Sequence, residues 1–151
     1  LSKLNVKLIE QANVLRAIVE NGRCSGIVTG NLDRERTYRA DSFILATGGF
    51  FGGGLQAGAG QATEAVFDLS VPVPADQGAW SNESLFFTNS QPFAKFGVQV
   101  DARLRPVDAT GKLLLENVFI AGKTLAGYDY CFEKSGNGVA LATAYQAGCE
   151  A

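Results

Sequence analysis

The first forty residues alternate apolar and polar positions in short runs. Val14–Val19 and Cys24–Thr29 flank Glu20-Asn21-Gly22-Arg23, and Asn-Gly between such runs predicts a tight hairpin, because both turn residues tolerate positive φ. Val6–Glu10 reads as a strand before the hairpin. A polar loop, Gly30–Arg36, leads to a third short strand near Thr37–Ala40. Together these make an antiparallel β-meander over about residues 6–41. The pattern then changes. Phe43-Ile44-Leu45-Ala46 is wholly apolar, which suits a strand covered on both faces, and it breaks at Thr47-Gly48-Gly49. Phe50–Gly60 is glycine-rich and reads as a loop, and Gln61–Glu83 as irregular chain with short strands. Pro92–Phe96 reads as one helical turn, and Gly97–Asp101 as a strand returning through Leu104-Arg105-Pro106. A second apolar strand, Val118–Ile120, breaks at Ala121-Gly122. A helix of small residues, Val139–Ala147, follows Ser135-Gly136-Asn137-Gly138, and its alanines suit close, largely buried packing on a sheet.

Two apolar strands that each end in glycine predict parallel pairing, with both C-terminal ends at one crevice, where open α/β sheets bind ligands. The fold expected is α/β: a partial Rossmann-type domain with the meander attached. Its ligand-binding strands and helix would span about residues 43–55 and 97–148. Glycines let backbone N–H groups approach a ligand closely, and a helix N-terminus favours negative charge.

Composition narrows the function. A net charge of −2 without a long basic run argues against nucleic acid as partner. No apolar run reaches the ~20 residues that cross a bilayer as a helix. The chain has no histidine, so it offers neither an imidazole base nor a histidine metal ligand. Cys24, Cys131 and Cys149 are too widely spaced for an iron–sulfur or zinc run, so no metal site is expected.

The motifs in order resemble the flavoproteins of the fumarate reductase and succinate dehydrogenase type. Ala46-Thr47-Gly48-Gly49 matches the segment that ends a strand near the dinucleotide there. Ala121-Gly122, Gly136-Asn137-Gly138 and Gly148 match the C-terminal segment that sets a helix N-terminus at the flavin. Within that superfamily, four further segments are similar to the B-subunit family of anaerobic glycerol-3-phosphate dehydrogenases: Gly48–Leu55, Gln91-Pro92-Phe93 with Phe96-Gly97-Val98, Leu104-Arg105-Pro106, and Gly127-Tyr128-Asp129. The similarity runs from about Val6 to Gly148. The chain departs from the pattern at Lys123, where many relatives carry an acid or a small residue, at Asn137 for glycine, and at Tyr130 for proline. It has no G-x-G-x-x-G, so residues 1–151 read as a C-terminal portion of a flavin-binding domain, and the chain alone is expected to be inactive.

The resemblance implies a flavin, FAD or FMN. Gly138 and Val139 would then give N–H groups to the edge of the ring, with Gly136 and Asn137 shaping the turn. Thr47, Gly48 and Gly49 would approach the adenosine or diphosphate portion. Gly122 would let the chain pass beside the cofactor, and Asp129 would bond the ring or ribityl chain or else form a turn. Arg105 and Lys123 are the weaker candidates for a substrate phosphate, and Arg105 would otherwise pair with Asp101 or Asp108. No catalytic base is named. The implied activity is oxidation of sn-glycerol 3-phosphate to dihydroxyacetone phosphate, with electrons passing to quinone. The implied partners are a second flavoprotein subunit and an iron–sulfur membrane-anchor subunit. The assembly would be cytoplasmic, peripheral on the inner face of the cell membrane. The alternatives are another fumarate reductase-type flavin oxidoreductase and a non-catalytic subunit that retains the fold.

Overall fold

The computed structural model describes residues 4, 6–31, 34–84 and 90–151. Strands β1 (Asn13–Glu20), β2 (Arg23–Asn31) and β3 (Arg34–Tyr38) form an antiparallel meander in the order β1-β2-β3. The turn between β1 and β2 is Asn21-Gly22, with φ of 51° and 75°, the left-handed pair that matches the twist of a two-residue hairpin. Thus the first connection follows directly from its dipeptide. The third strand lies earlier than the expected Thr37–Ala40, because β2 runs on to Asn31 and pairs Ile27 with Tyr38 through to Asn31 with Arg34. Val6–Glu10 forms no strand. Its residues pair with nothing described, and Val6, Leu8 and Ile9 are exposed; alternation without a neighbouring ladder does not make a sheet.

Strand β4 (Phe43–Leu45) pairs in parallel with β8 (Val118–Ile120), Phe43 opposite Val118 and Leu45 opposite Ile120, as the two glycine-terminated apolar runs predict. The two strands differ in cover. Val118, Phe119 and Ile120 are all buried, whereas Ile44 of β4 is 46% exposed, so the expectation of cover on both faces holds for β8 and fails for β4. A ladder bond from Phe43 N–H to Asn117 O, and another from Ala121 N–H to Leu45 O, face β4 toward β8. The alternation of a parallel ladder then turns the amide and carbonyl of Ile44 to the other edge, with which no described strand pairs.

A third, small antiparallel sheet joins β5 (Leu55–Ala57), β6 (Ala62–Glu64) and β7 (Ser70–Val71): β6 and β7 are short strands of the kind expected within Gln61–Glu83, whereas β5 lies where the glycine-rich pattern predicts loop. Gly97–Asp101 is not a strand. It makes isolated bridges, Val98 with Leu125 and Val100 with Pro106. The core gathers Leu45, Leu55, Val71, Phe96, Val98, Leu115 and β8 between these sheets.

Helix α1 (Gly136–Glu150) is longer than predicted at both ends, and it is not largely buried. Ala147 alone is fully covered, while Leu141 and Tyr145 are 75% and 78% exposed. The helix rests on β8 and on the short 3₁₀ turn Gly122–Thr124 along one edge. Its small residues permit that close approach, and no second layer of the described chain covers the opposite side. A parallel strand pair beside one helix is the α/β content seen in the chain.

Candidate functional site

Strand β8 ends at Ile120, and after Ala121, Gly122, at φ 67°, turns the chain into the 3₁₀ turn that carries Lys123 and Thr124. Ahead of this turn stands the first turn of α1. The N–H of Gly122 donates to Thr143 Oγ1 at 2.9 Å, and that hydroxyl donates to Val139 O at 2.6 Å. Gly122 therefore fastens the strand end to the helix. Thr124, fully buried, does the same for the other break: Gly48 N–H donates to Thr124 Oγ1 at 3.1 Å, and the hydroxyl lies 3.2 Å from Gly48 O. The two glycine breaks thus meet, as the sequence pattern implies. They meet through threonines that carry no signal of this role in the sequence.

Between them lies a cavity of about 320 Å³. Gly49, Phe50, Phe51 and Gly52 line one side, Lys123, Tyr128 and Tyr130 another, and Gly136 and Ala140 of α1 the third. Phe51 is braced edge-on by Phe93 at 5.9 Å between ring centroids. Its size falls at the low end of small-molecule sites, enough for a ring system and not for a whole dinucleotide. Of the predicted residues, the structure brings Gly49, Lys123 and Gly136 together on its walls.

The helix end differs from expectation in one donor. Val139 N–H is the first to be satisfied, by Ser135 O at 2.9 Å, so it is not free for a ligand. The unpaired N–H groups of this helix start are those of Gly136, Asn137 and Gly138, as helix geometry requires. Ser135 does not cap them; its hydroxyl donates to Glu133 Oε2 instead. No acid stands in the first turn, and a Cβ at Gly138 would meet nothing within 4 Å, so the helix end faces open space.

Asp129 takes the turn-forming alternative. It is 1% exposed, and its Oδ1 accepts from Cys131 N–H and Phe132 N–H, both at 3.0 Å. Burial pushes its pKa up, but the N–H of Phe132, the Ser90 hydroxyl and the N–H groups of Cys131 and Gln91 outweigh burial and hold it low. By fixing this turn, Asp129 sets Tyr128 and Tyr130 on either side of Lys123, whose Nζ lies 5.1 and 4.9 Å from their ring centroids. The Lys123 stem lies flat on Gly49, where an added Cβ would come within 2.9 Å of Lys123 Cγ. The glycine is therefore needed for the lysine. Nζ donates to Ala94 O at 2.6 Å, and burial lowers the lysine's pKa, with Asp129 and Cys131 opposing.

Arg105 stands apart from the cavity. Its Nε and Nη2 both donate to Asp101 Oδ2, at 2.9 and 2.8 Å, and the same carboxylate accepts from its own N–H. The arginine closes the 101–105 turn, which corrects its candidacy as a phosphate anchor. Among the described residues no cluster of acid, cysteine and histidine side chains fits a metal, and no helix is long and apolar enough to cross a membrane.

The site fits one end of a flavin. An aromatic cavity, free N–H donors and a single cation suit a flat ring whose edge carries negative charge. Thr47 Oγ1, the one buried side-chain polar atom without a partner among the described residues, sits at the other break, where a ligand would supply its hydrogen bond.

Comparison with known proteins agrees. The chain is 40% identical over 125 residues to the B subunit of anaerobic glycerol-3-phosphate dehydrogenase from Vibrio cholerae, a match that covers 83% of this chain and 28% of the relative. It is 36% identical over 128 residues to the same subunit from Vibrio vulnificus, covering 85% and 28%. To a probable B subunit of the same enzyme from Halobacterium salinarum it is 39% identical over 112 residues, covering 74% and 26%. The chain thus spans little more than a quarter of the length of these relatives. No solved structure matches. The FAD binding domain family matches residues 1–79 and 50–139, and FAD, of the two flavins expected, is the one it names. With the cavity where the two glycine breaks meet, and with this match over most of its length, the chain belongs to the FAD binding domain family.

Proposed function

We propose that this chain is the ring-binding end of a partial Rossmann-type, FAD-binding B subunit of an anaerobic glycerol-3-phosphate dehydrogenase. The assembly oxidises sn-glycerol 3-phosphate to dihydroxyacetone phosphate. It works with a second flavoprotein subunit and an iron–sulfur subunit that anchors it to the inner face of the cell membrane and passes electrons to quinone. The observation that carries this reading is the cavity beside the start of α1, lined by Gly136 and Ala140, in a chain similar to these B subunits over most of its length. FAD, when bound, supplies a hydride acceptor. The chain's part is to hold and orient the ring: the helix start at Gly136–Gly138 offers N–H dipoles to it, and Phe50, Phe51 and Tyr130 offer aromatic surface.

Among the described residues the cavity walls carry no carboxylate and no imidazole. This supports placing the group that takes the substrate's hydroxyl proton on the second flavoprotein subunit. Lys123 is the only cation on those walls among the described residues, and a dicarboxylate oxidoreductase would need several, which favours the glycerol phosphate reading over the fumarate reductase-type alternative.

Anaerobic bleaching of the flavin band in the assembled complex tests the activity. Glycerol 3-phosphate should bleach it and succinate should not; the reverse result sinks the reading. Gly138→Val tests the site. Because a Cβ there would meet no heavy atom within 4 Å, folding should be unchanged while FAD content falls at least tenfold.

A further inference from the structure

Lys123 is a half-buried cation that makes no ion pair among the described residues. The ion pairs among the described residues join Arg16 to Glu35, Arg23 to Glu116, Arg103 to Glu150 and Arg105 to Asp101, and none includes Lys123. The nearby acid, Asp129, gives its carboxylate oxygen to the N–H groups of Cys131 and Phe132 instead. Lys123 Nζ is held by the carbonyl of Ala94 at 2.6 Å, by that of Phe96 at the limit of hydrogen bonding, 3.5 Å, and by the faces of Tyr128 and Tyr130. Carbonyls and ring faces orient an ammonium without neutralising it. The charge also lines the cavity, beside the start of α1. Burial already disfavours the charged form, so an anion arriving in the cavity relieves a cost that the folded chain carries.

We propose that Lys123 is a redox-tuning residue of the FAD site, whose fixed charge favours the reduced, anionic ring over the oxidised, neutral one and so raises the cofactor's reduction potential. A hydride from the substrate's alcohol carbon brings two electrons and one proton to the ring and leaves it with one net negative charge. Lys123 and the N–H groups of Gly136–Gly138 face that charge from two sides. The Lys123 stem over Gly49 and the two tyrosines fix where the cation stands, so its contribution needs no rearrangement when the ring is reduced.

The inference rests on the FAD reading of the cavity, and the test separates the two. Dissociation constants of oxidised FAD and of dithionite-reduced FAD are measured anaerobically for the full-length subunit that carries this chain and for its Lys123→Met and Lys123→Arg variants. The ratio of the two constants reports the potential shift even where binding is weak. Lys123→Met should lower the preference for reduced FAD about tenfold, equivalent to about 30 mV for a two-electron couple. Lys123→Arg should keep it. A purely structural role weakens both redox forms alike and leaves the ratio unchanged, and that result overturns the proposal. Equal loss in the methionine and arginine variants also overturns it. Failure of the unsubstituted full-length subunit to bind either form overturns the FAD reading of the cavity, and the inference with it.

Discussion

Asp129 shows how one buried carboxylate organises the site without touching a ligand. Replacing it by alanine leaves the N–H groups of Cys131 and Phe132 unpaired, at a cost of about 1–3 kcal/mol. Asparagine, which keeps Oδ1, should cost less, and urea denaturation distinguishes the two. The pH dependence has a definite sign. The folded-state pKa is held below the ordinary 3.8, so the contribution is present above that value and disappears as pH falls through the depressed one. Denaturation at pH 7 and pH 3 should therefore show a gap between wild type and Asp129→Ala that narrows in acid. Glycines separate by what they touch. At Gly97 an added Cβ comes within 2.4 Å of the backbone carbon of Leu125, whereas at Gly49 it meets the flexible Lys123 stem at 2.9 Å. Gly97→Ala should thus cost about 1–3 kcal/mol, and Gly49→Ala less, by thermal denaturation. Little of this is legible in the sequence. Asp129 between two tyrosines marks a turn, but the partner of Lys123, the Ala94 carbonyl, lies 29 positions away and carries no side-chain signature.

Among the elements, those with a local cause are the legible ones. Asn21-Gly22 imposes its turn, and the apolar runs of β4 and β8 have no other place than side by side. Strand β5 is hidden because glycines around Leu55 lower strand propensity, while the cause of its pairing with β6 in the small sheet lies in Leu55 and Ala62 entering the shared core. Glu64 closes this sheet. It is 1% exposed, and both its oxygens accept N–H bonds at 2.8 Å, from Val66 and Phe67. The openness of α1 is equally hidden, because alanine is compatible with a covered face and with an open one. Leu141 and Tyr145 form an apolar exposed ridge on that helix. Replacing both by serine should change folding stability by less than about 1 kcal/mol in sum, since neither is packed. The same change should lower any self-association, read by sedimentation velocity.

Over the whole molecule, the meander and the parallel pair are joined by Asn117. Its side chain accepts from Cys24 N–H at 2.9 Å and donates to Cys24 O and Asp41 O at 2.8 and 2.7 Å. Asn117→Ala removes all three bonds from a buried position. It should cost about 2–4 kcal/mol in chemical denaturation, and amide exchange should accelerate in β2 together with β8. Uncoupled exchange of the two strands would show that the meander stands independently.

The parallel pair also sets a timetable. Phe43 and its partner Val118 are separated by 75 positions, and a parallel strand cannot close on a neighbour that does not yet exist. At the usual pace of synthesis, about 5–20 residues per second, β4 waits roughly 4–15 s for β8, while the hairpin before it closes within microseconds of emerging. For those seconds the edge of β4 that will meet β8 is bare in the nascent chain. The interval before Val118 is the period in which this polypeptide is most exposed to capture by a chaperone or by a neighbouring copy on the same message.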